Sequence, residues 1–143
     1  METQAGFLIS QIKQIGGRVF EKILAQEQID EFNGAQGKIL YVLWQKDHIS
    51  IVELSKSVGL AKTTLTSMLD RMEENGLIKR LPDANDRRKS ILVLTEQARG
   101  LQEKYEQVSQ EMNDIYYQGF REEEIMEFEQ YLHRILDNIK KKG

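Results

Sequence analysis

The stretch from residue 50 to residue 95 constrains the fold most. Ile51, Leu54 and Val58 recur at helical spacing and stop at Gly59. A second period starts near Lys62, with Leu65, Met68, Leu69 and Met72 on one face, and stops at Asn75-Gly76, a pair suited to the left-handed conformation that ends helices. Two short runs rich in Leu, Ile and Val follow, Leu77–Leu81 and Ser90–Leu94. Between them lies the polar segment Pro82-Asp83-Ala84-Asn85-Asp86-Arg87-Arg88-Lys89, which holds the chain's only proline. The order predicted is helix, tight turn, helix, and a two-stranded hairpin with a long charged tip. Such a unit is too small to bury much on its own, so the flanking segments must complete a core.

Those flanks also read as helices. Leu8, Ile12, Ile15, Val19 and Ile23 form one stripe, and Asn33 is placed to cap a helix carrying Ile39, Leu40 and Leu43 inward. Toward the C-terminus, Leu101, Tyr105, Val108, Met112 and Ile115 form another stripe, and Ile125, Phe128, Leu132, Ile135 and Ile139 a fourth. The last two are narrow seams on strongly charged helices, which need a partner surface. A two-fold partner supplies one, since cyclic dimers are the commonest oligomers. The expected interface residues are Leu8, Ile12, Ile15, Val19, Ile125, Phe128, Leu132, Ile135 and Ile139; the alternative is a monomer folding its own helices into a bundle.

Charge distribution is more informative than the net value of −3. Residues 61–95 carry seven Lys/Arg against five Asp/Glu, whereas residues 96–129 carry three against ten. Arg87, Arg88 and Lys89 sit together, with Lys79 and Arg80 upstream. A local basic cluster on an acidic chain suits a polyanion that touches one surface. There is no cysteine, which removes disulfides, thiolate metal sites and thiol-based oxidation sensing. No run approaches the roughly 20 apolar residues of a membrane span, and no secretory leader is evident, so a cytoplasmic protein without a membrane partner is expected.

The second helix of a helix-turn-helix enters the DNA major groove. At about 100° per residue, Leu65, Leu69 and Met72 fall within an arc of about 60° facing the core, so Thr63, Thr66 and Ser67 point away. Hydroxyls there can read bases and phosphates, while Lys62 and Arg71 are long enough to reach phosphates. An ordinary amphipathic helix with a threonine-rich outer face fits the same pattern. The hairpin tilts the balance, because a narrow minor groove attracts an inserted arginine. Asp86 is placed to accept from Arg88 or from the loop backbone, or to serve as a plain turn residue.

The segment Asp86-Arg87-Arg88-Lys89-Ser90-Ile91-Leu92-Val93-Leu94-Thr95 resembles the Asp-x-Arg, five residues, Leu-Thr signature of the multiple-antibiotic-resistance regulator (MarR) family. Leu69-Asp70-Arg71-Met72-Glu73-Glu74-Asn75-Gly76-Leu77-Ile78 and Gln36-Gly37-Lys38-Ile39-Leu40 resemble two further family segments. The resemblance implies a mainly α fold with a small β-hairpin wing: a winged helix-turn-helix with N- and C-terminal dimerisation helices. The expected division is residues 1–32 and 96–143 for dimerisation and 33–95 for DNA binding.

It also implies a recognition helix presenting Lys62, Thr63, Thr64, Thr66, Ser67 and Arg71, and a wing presenting Asp86, Arg87, Arg88 and Lys89. The implied function is a transcriptional regulator that binds double-stranded DNA as a homodimer at a pseudo-palindromic operator. Repression is the first expectation and activation the alternative. A small-molecule effector pocket is implied too, with Phe20, Tyr41, Trp44 and Tyr116 as its aromatics, although core packing is the commoner use of such residues. Two positions depart from the family pattern: Ala98 stands where glycine is frequent, and Ala61 is a poor helix cap.

No cofactor, metal site or enzyme motif is expected. His48 and His133 are too few for a transition-metal site, and Glu122-Glu123-Glu124 suits the positive end of a helix dipole. A winged module used only for protein contact is the competing functional class.

Overall fold

The computed structural model describes all 143 residues. Helices α1 (Ala5–Gln26) and α2 (Gly34–Gln45) are followed by the short strand β1 (Ile49–Ser50). Helices α3 (Ile51–Val58) and α4 (Lys62–Glu74) precede strands β2 (Ile78–Pro82) and β3 (Ser90–Leu94). Three helices complete the chain: α5 (Glu96–Arg99), α6 (Gln102–Tyr116) and α7 (Glu122–Lys140). Two compact units emerge, Met1–Ser109 and Gln110–Gly143. That division cuts α6.

Local chemistry accounts for most element ends. Asn33 caps α2 as expected: its side chain accepts from the Gln36 amide at 2.8 Å, and the Gln36 side chain accepts from the Asn33 amide at 3.1 Å. Ser50 and Thr95 do the same for α3 and α5, accepting from Glu53 and Ala98. Gly59 ends α3 at φ +72°, a left-handed conformation that costs glycine nothing. Ala61 leaves α4 without a side-chain cap.

The sheet is antiparallel and three-stranded, in the order β1-β3-β2. The hairpin was expected, but its third strand was not. Ile49 and Ser50 pair with Leu92 and Ile91, a segment too short for periodicity to reveal. Within the hairpin, Ile78 pairs with Leu94 and Pro82 with Ser90. Proline is tolerated because β2 is an edge strand.

The core of the first unit joins Leu40 and Leu43 of α2, Leu54 of α3, Leu65, Leu69 and Met72 of α4, and Leu77 and Leu92 of the hairpin, all fully buried. The helical periods assign the α2, α3 and α4 residues of this set inward, and the folded hairpin adds Leu77 and Leu92. In the second unit, the Tyr117 ring packs edge-on against Phe120 and Phe128, and its hydroxyl donates to Glu129 at 2.7 Å. Burial and the neighbouring Glu129 carboxylate push the Tyr117 hydroxyl up to about 12.

One glycine is explained by close approach. A Cβ on Gly37 would lie 2.7 Å from Cε1 of Tyr105 and 3.4 Å from Cδ2 of Phe32. Gly37 therefore lets α2 sit flush against the Tyr105 ring. Gly37→Ala is expected to cost about 1–3 kcal/mol through overpacking, read as a lowered urea midpoint. An unchanged midpoint would mean that Tyr105 has room to move aside.

Candidate nucleic-acid interface

The α4 surface divides as its spacing requires. Leu65, Leu69 and Met72 are buried, while Lys62, Thr63, Thr64, Ser67 and Arg71 are exposed. Thr66 is the exception. It is half-buried, and its hydroxyl donates to the Lys62 carbonyl at 2.8 Å. Only its methyl group and its oxygen lone pairs remain to meet a ligand.

Two aspartates shape the hairpin tip. The Asp83 carboxylate accepts from the Asn85 amide at 2.9 Å, and the Asp86 carboxylate accepts from the Arg88 amide at 3.0 Å. Each folds the chain back over two residues in the manner of an Asx turn. Asp86 also accepts from Nε and Nη2 of Arg88, at 3.2 and 3.4 Å. Both alternatives foreseen for this residue are thus realised together. The Arg88 side chain and amide hold the Asp86 carboxyl below the usual carboxylate range, so it stays ionised through neutral pH.

The Arg88 side chain is 90% exposed, and Arg87 and Lys89 are exposed with it. The result is a projecting guanidinium fixed at its base, with Nη1 making no hydrogen bond within the chain. Arg80, grouped by sequence with these cations, behaves differently. Its guanidinium pairs with Asp70 and Glu73 of α4, and its side chain is only 23% exposed. It does not join the free positive face.

A set of polar contacts that the sequence does not reveal locks the wing to the helices. The Thr95 hydroxyl donates to the Gly76 carbonyl at 2.6 Å, fastening the end of β3 to the exit of α4. Asp47 accepts from the Leu94 amide at 3.0 Å and from Arg99 at 2.9 Å. Burial acts to raise the Asp47 carboxyl, but the Leu94 and His48 amides and the Arg99 guanidinium outweigh it and hold the group low. Trp44 donates through Nε1 to the Ala98 carbonyl at 3.0 Å.

The other expected residues separate into two groups. Phe20, Tyr41 and Trp44 gather around Tyr105, with ring centroids 6.2, 6.1 and 5.4 Å away, and Phe32 joins them at 5.9 Å. Tyr105, read from sequence only as one position of a helical stripe, is the hub. Tyr116 belongs to the second unit and is exposed. Of the expected interface residues, Leu8, Ile12, Ile15, Phe128, Leu132, Ile135 and Ile139 are exposed, and Val19 and Ile125 are half-buried. No residue of α7 is buried.

Residues 32–90 match the MarR family model. The chain is 35% identical to the uncharacterized HTH-type transcriptional regulator YsmB of Bacillus subtilis, over 70% of its own length and 68% of YsmB. It superposes on a mutant MarR from E. coli complexed with operator DNA with a TM-score of 0.83 and 30% identity, covering 92% of each chain.

The chain belongs to the MarR family.

It is also 31% identical to the HTH-type transcriptional regulator TtmR of Methylorubrum extorquens, over 73% of its own length but only 52% of TtmR. Membership and the winged-helix superposition together account for the exposed tip on a three-stranded sheet. In this MarR-family chain the hairpin tip carries the Asp86–Arg88 contact. No helix is long and apolar enough to cross a membrane.

Proposed function

We propose that this MarR-family chain is a sequence-specific DNA-binding transcriptional regulator that acts as a homodimer in the cytoplasm. The carrying observation is Arg88, projecting from the wing on the Asp86 carboxylate. A guanidinium held this way suits the negative potential of a narrow minor groove. Beside it, Lys62, Thr63, Thr64, Ser67 and Arg71 offer the outer face of α4 to the major groove, with the methyl of Thr66 available to a thymine. The lack of a side-chain cap on α4 supports the same use, because free first-turn amides can meet a DNA phosphate. The operator DNA bound by the E. coli relative is of the class this surface fits.

The exposed apolar stripes of α1 and α7 support pairing, with residues 1–32 and 96–143 serving dimerisation and 33–95 serving DNA. Two recognition helices then meet successive major grooves about 34–36 Å apart, which requires a pseudo-palindromic operator. Binding there represses by occluding the promoter. A small-molecule effector releases it by engaging the ring cluster of Phe20, Tyr41 and Trp44. No step of this reading requires a metal, a cofactor or an enzymatic reaction.

The test is titration of the protein with its own upstream DNA and with a scrambled duplex at two salt concentrations. Specific binding, two protomers per site, and a steep loss of affinity with salt are expected, because phosphate contacts release counterions. Equal affinity for both duplexes would overturn sequence specificity, and binding to neither would leave protein contact as the role of the wing.

A further inference from the structure

Arg80 lies on β2, the edge strand of the sheet, and faces the second half of α4. Its Nε and Nη2 donate to one oxygen of Glu73, at 3.3 and 3.1 Å, and Nη2 also meets Asp70. The other oxygen of Glu73 accepts from the Arg80 backbone amide at 3.2 Å. That amide points away from β3, on the open side of the strand, so Glu73 occupies a donor that edge strands otherwise leave to solvent. Arg80 thus contacts α4 through both backbone and side chain, and one planar fork spans two carboxylates a helical step of three apart.

The contrast with Arg88 is decisive. Arg88 is 90% exposed on a turn carboxylate of its own loop, whereas Arg80 is 23% exposed and bound to another element. Phosphate contacts need exposed cations, and Arg80 is mostly covered, with its Nε and Nη2 donors committed to α4. We propose that Arg80 is a positioning residue for DNA binding, clamping the wing to the recognition helix through Asp70 and Glu73 so that α4 and Arg88 address the duplex at a set spacing. The inference rests on the DNA-binding reading above. Its physical basis is preorganisation: two reading elements held in one geometry forfeit less ordering entropy on binding.

The experiment compares wild type, Arg80→Ala, Arg80→Lys and the double variant Asp70→Asn with Glu73→Gln. Each is measured for operator affinity against salt and for amide hydrogen exchange in the free protein. Arg80→Ala is expected to weaken operator binding on the order of tenfold with an unchanged salt slope. It also speeds exchange across residues 78–94 and leaves α2 protected. The double variant gives the same change in exchange and no gain in affinity. Arg80→Lys falls between, since an ammonium cannot fork across two carboxylates.

A salt slope reduced by about 0.9 in Arg80→Ala would make Arg80 a phosphate contact and overturn the proposal. Tighter binding by the double variant, which frees the arginine, would overturn it in the same way. Unchanged affinity and exchange in Arg80→Ala would overturn it as well. Failure of the wild type to bind any duplex would instead remove the DNA-binding reading, and the exchange data would still decide whether Arg80 holds the wing.

Discussion

Arg88→Ala is expected to weaken operator binding by roughly 5- to 150-fold, the range for an arginine that reads DNA. Its side chain is almost fully exposed and bonds only to Asp86, so folding and dimerisation should be unchanged. The salt slope should fall by about one, because one cation leaves the interface. This is the opposite of the unchanged slope expected for Arg80, although both are wing arginines. Asp86→Asn should weaken binding less, since the guanidinium persists but loses its ionised anchor. Electrophoretic mobility shift or fluorescence anisotropy at two salt concentrations measures all of this. An Arg88→Ala protein that binds the operator as well as wild type would exclude the wing from DNA contact and favour a protein-binding role.

Leu69→Ala carries the largest expected cost to stability, about 2–5 kcal/mol. Leu69 is fully buried on the inward face of α4, with Leu65 and Met72, and α4 packs against α3 and β2. Truncation removes apolar contact and leaves a cavity that a packed core closes only in part. The control is Ser67→Ala on the opposite face, expected within about 0.5 kcal/mol of wild type. Urea unfolding at one fixed protein concentration is the measurement, since dimerisation couples stability to concentration. A loss below about 1 kcal/mol for Leu69→Ala would mean that α4 does not pack by this face. The two predictions separate two properties of one region: one removes function without stability, the other stability through the scaffold.

The legible part of the site was the part made of local rules. The turn role read for Asp86 needs only its place two residues before its amide partner Arg88, and Asp83 repeats that geometry on Asn85. The outward threonines follow from the helical period once Leu65, Leu69 and Met72 are assigned inward. Arg80 was misplaced among the free cations for a physical reason: its partners lie seven and ten residues away on another element, and charge counting cannot see a pairing across a turn. Tyr105 shows the same limit. Its stripe position was readable, but the convergence of Phe20, Phe32, Tyr41 and Trp44 upon it joins residues up to 85 positions apart.

By itself the sequence determined the long helices with their inward faces and the hairpin with its charged tip, because each depends on contacts within a few residues: caps, turn residues and apolar periods. Tertiary structure alone decided which cations are free, how the wing is fastened, and how closely the Tyr105 ring approaches Gly37. Asp47 reaching Leu94, Thr95 reaching Gly76 and Arg80 reaching Glu73 are pairings set by where the folded elements come to rest. Polar contacts of that kind leave no period in the chain. They depend on the buried leucines that hold α4 and the sheet together.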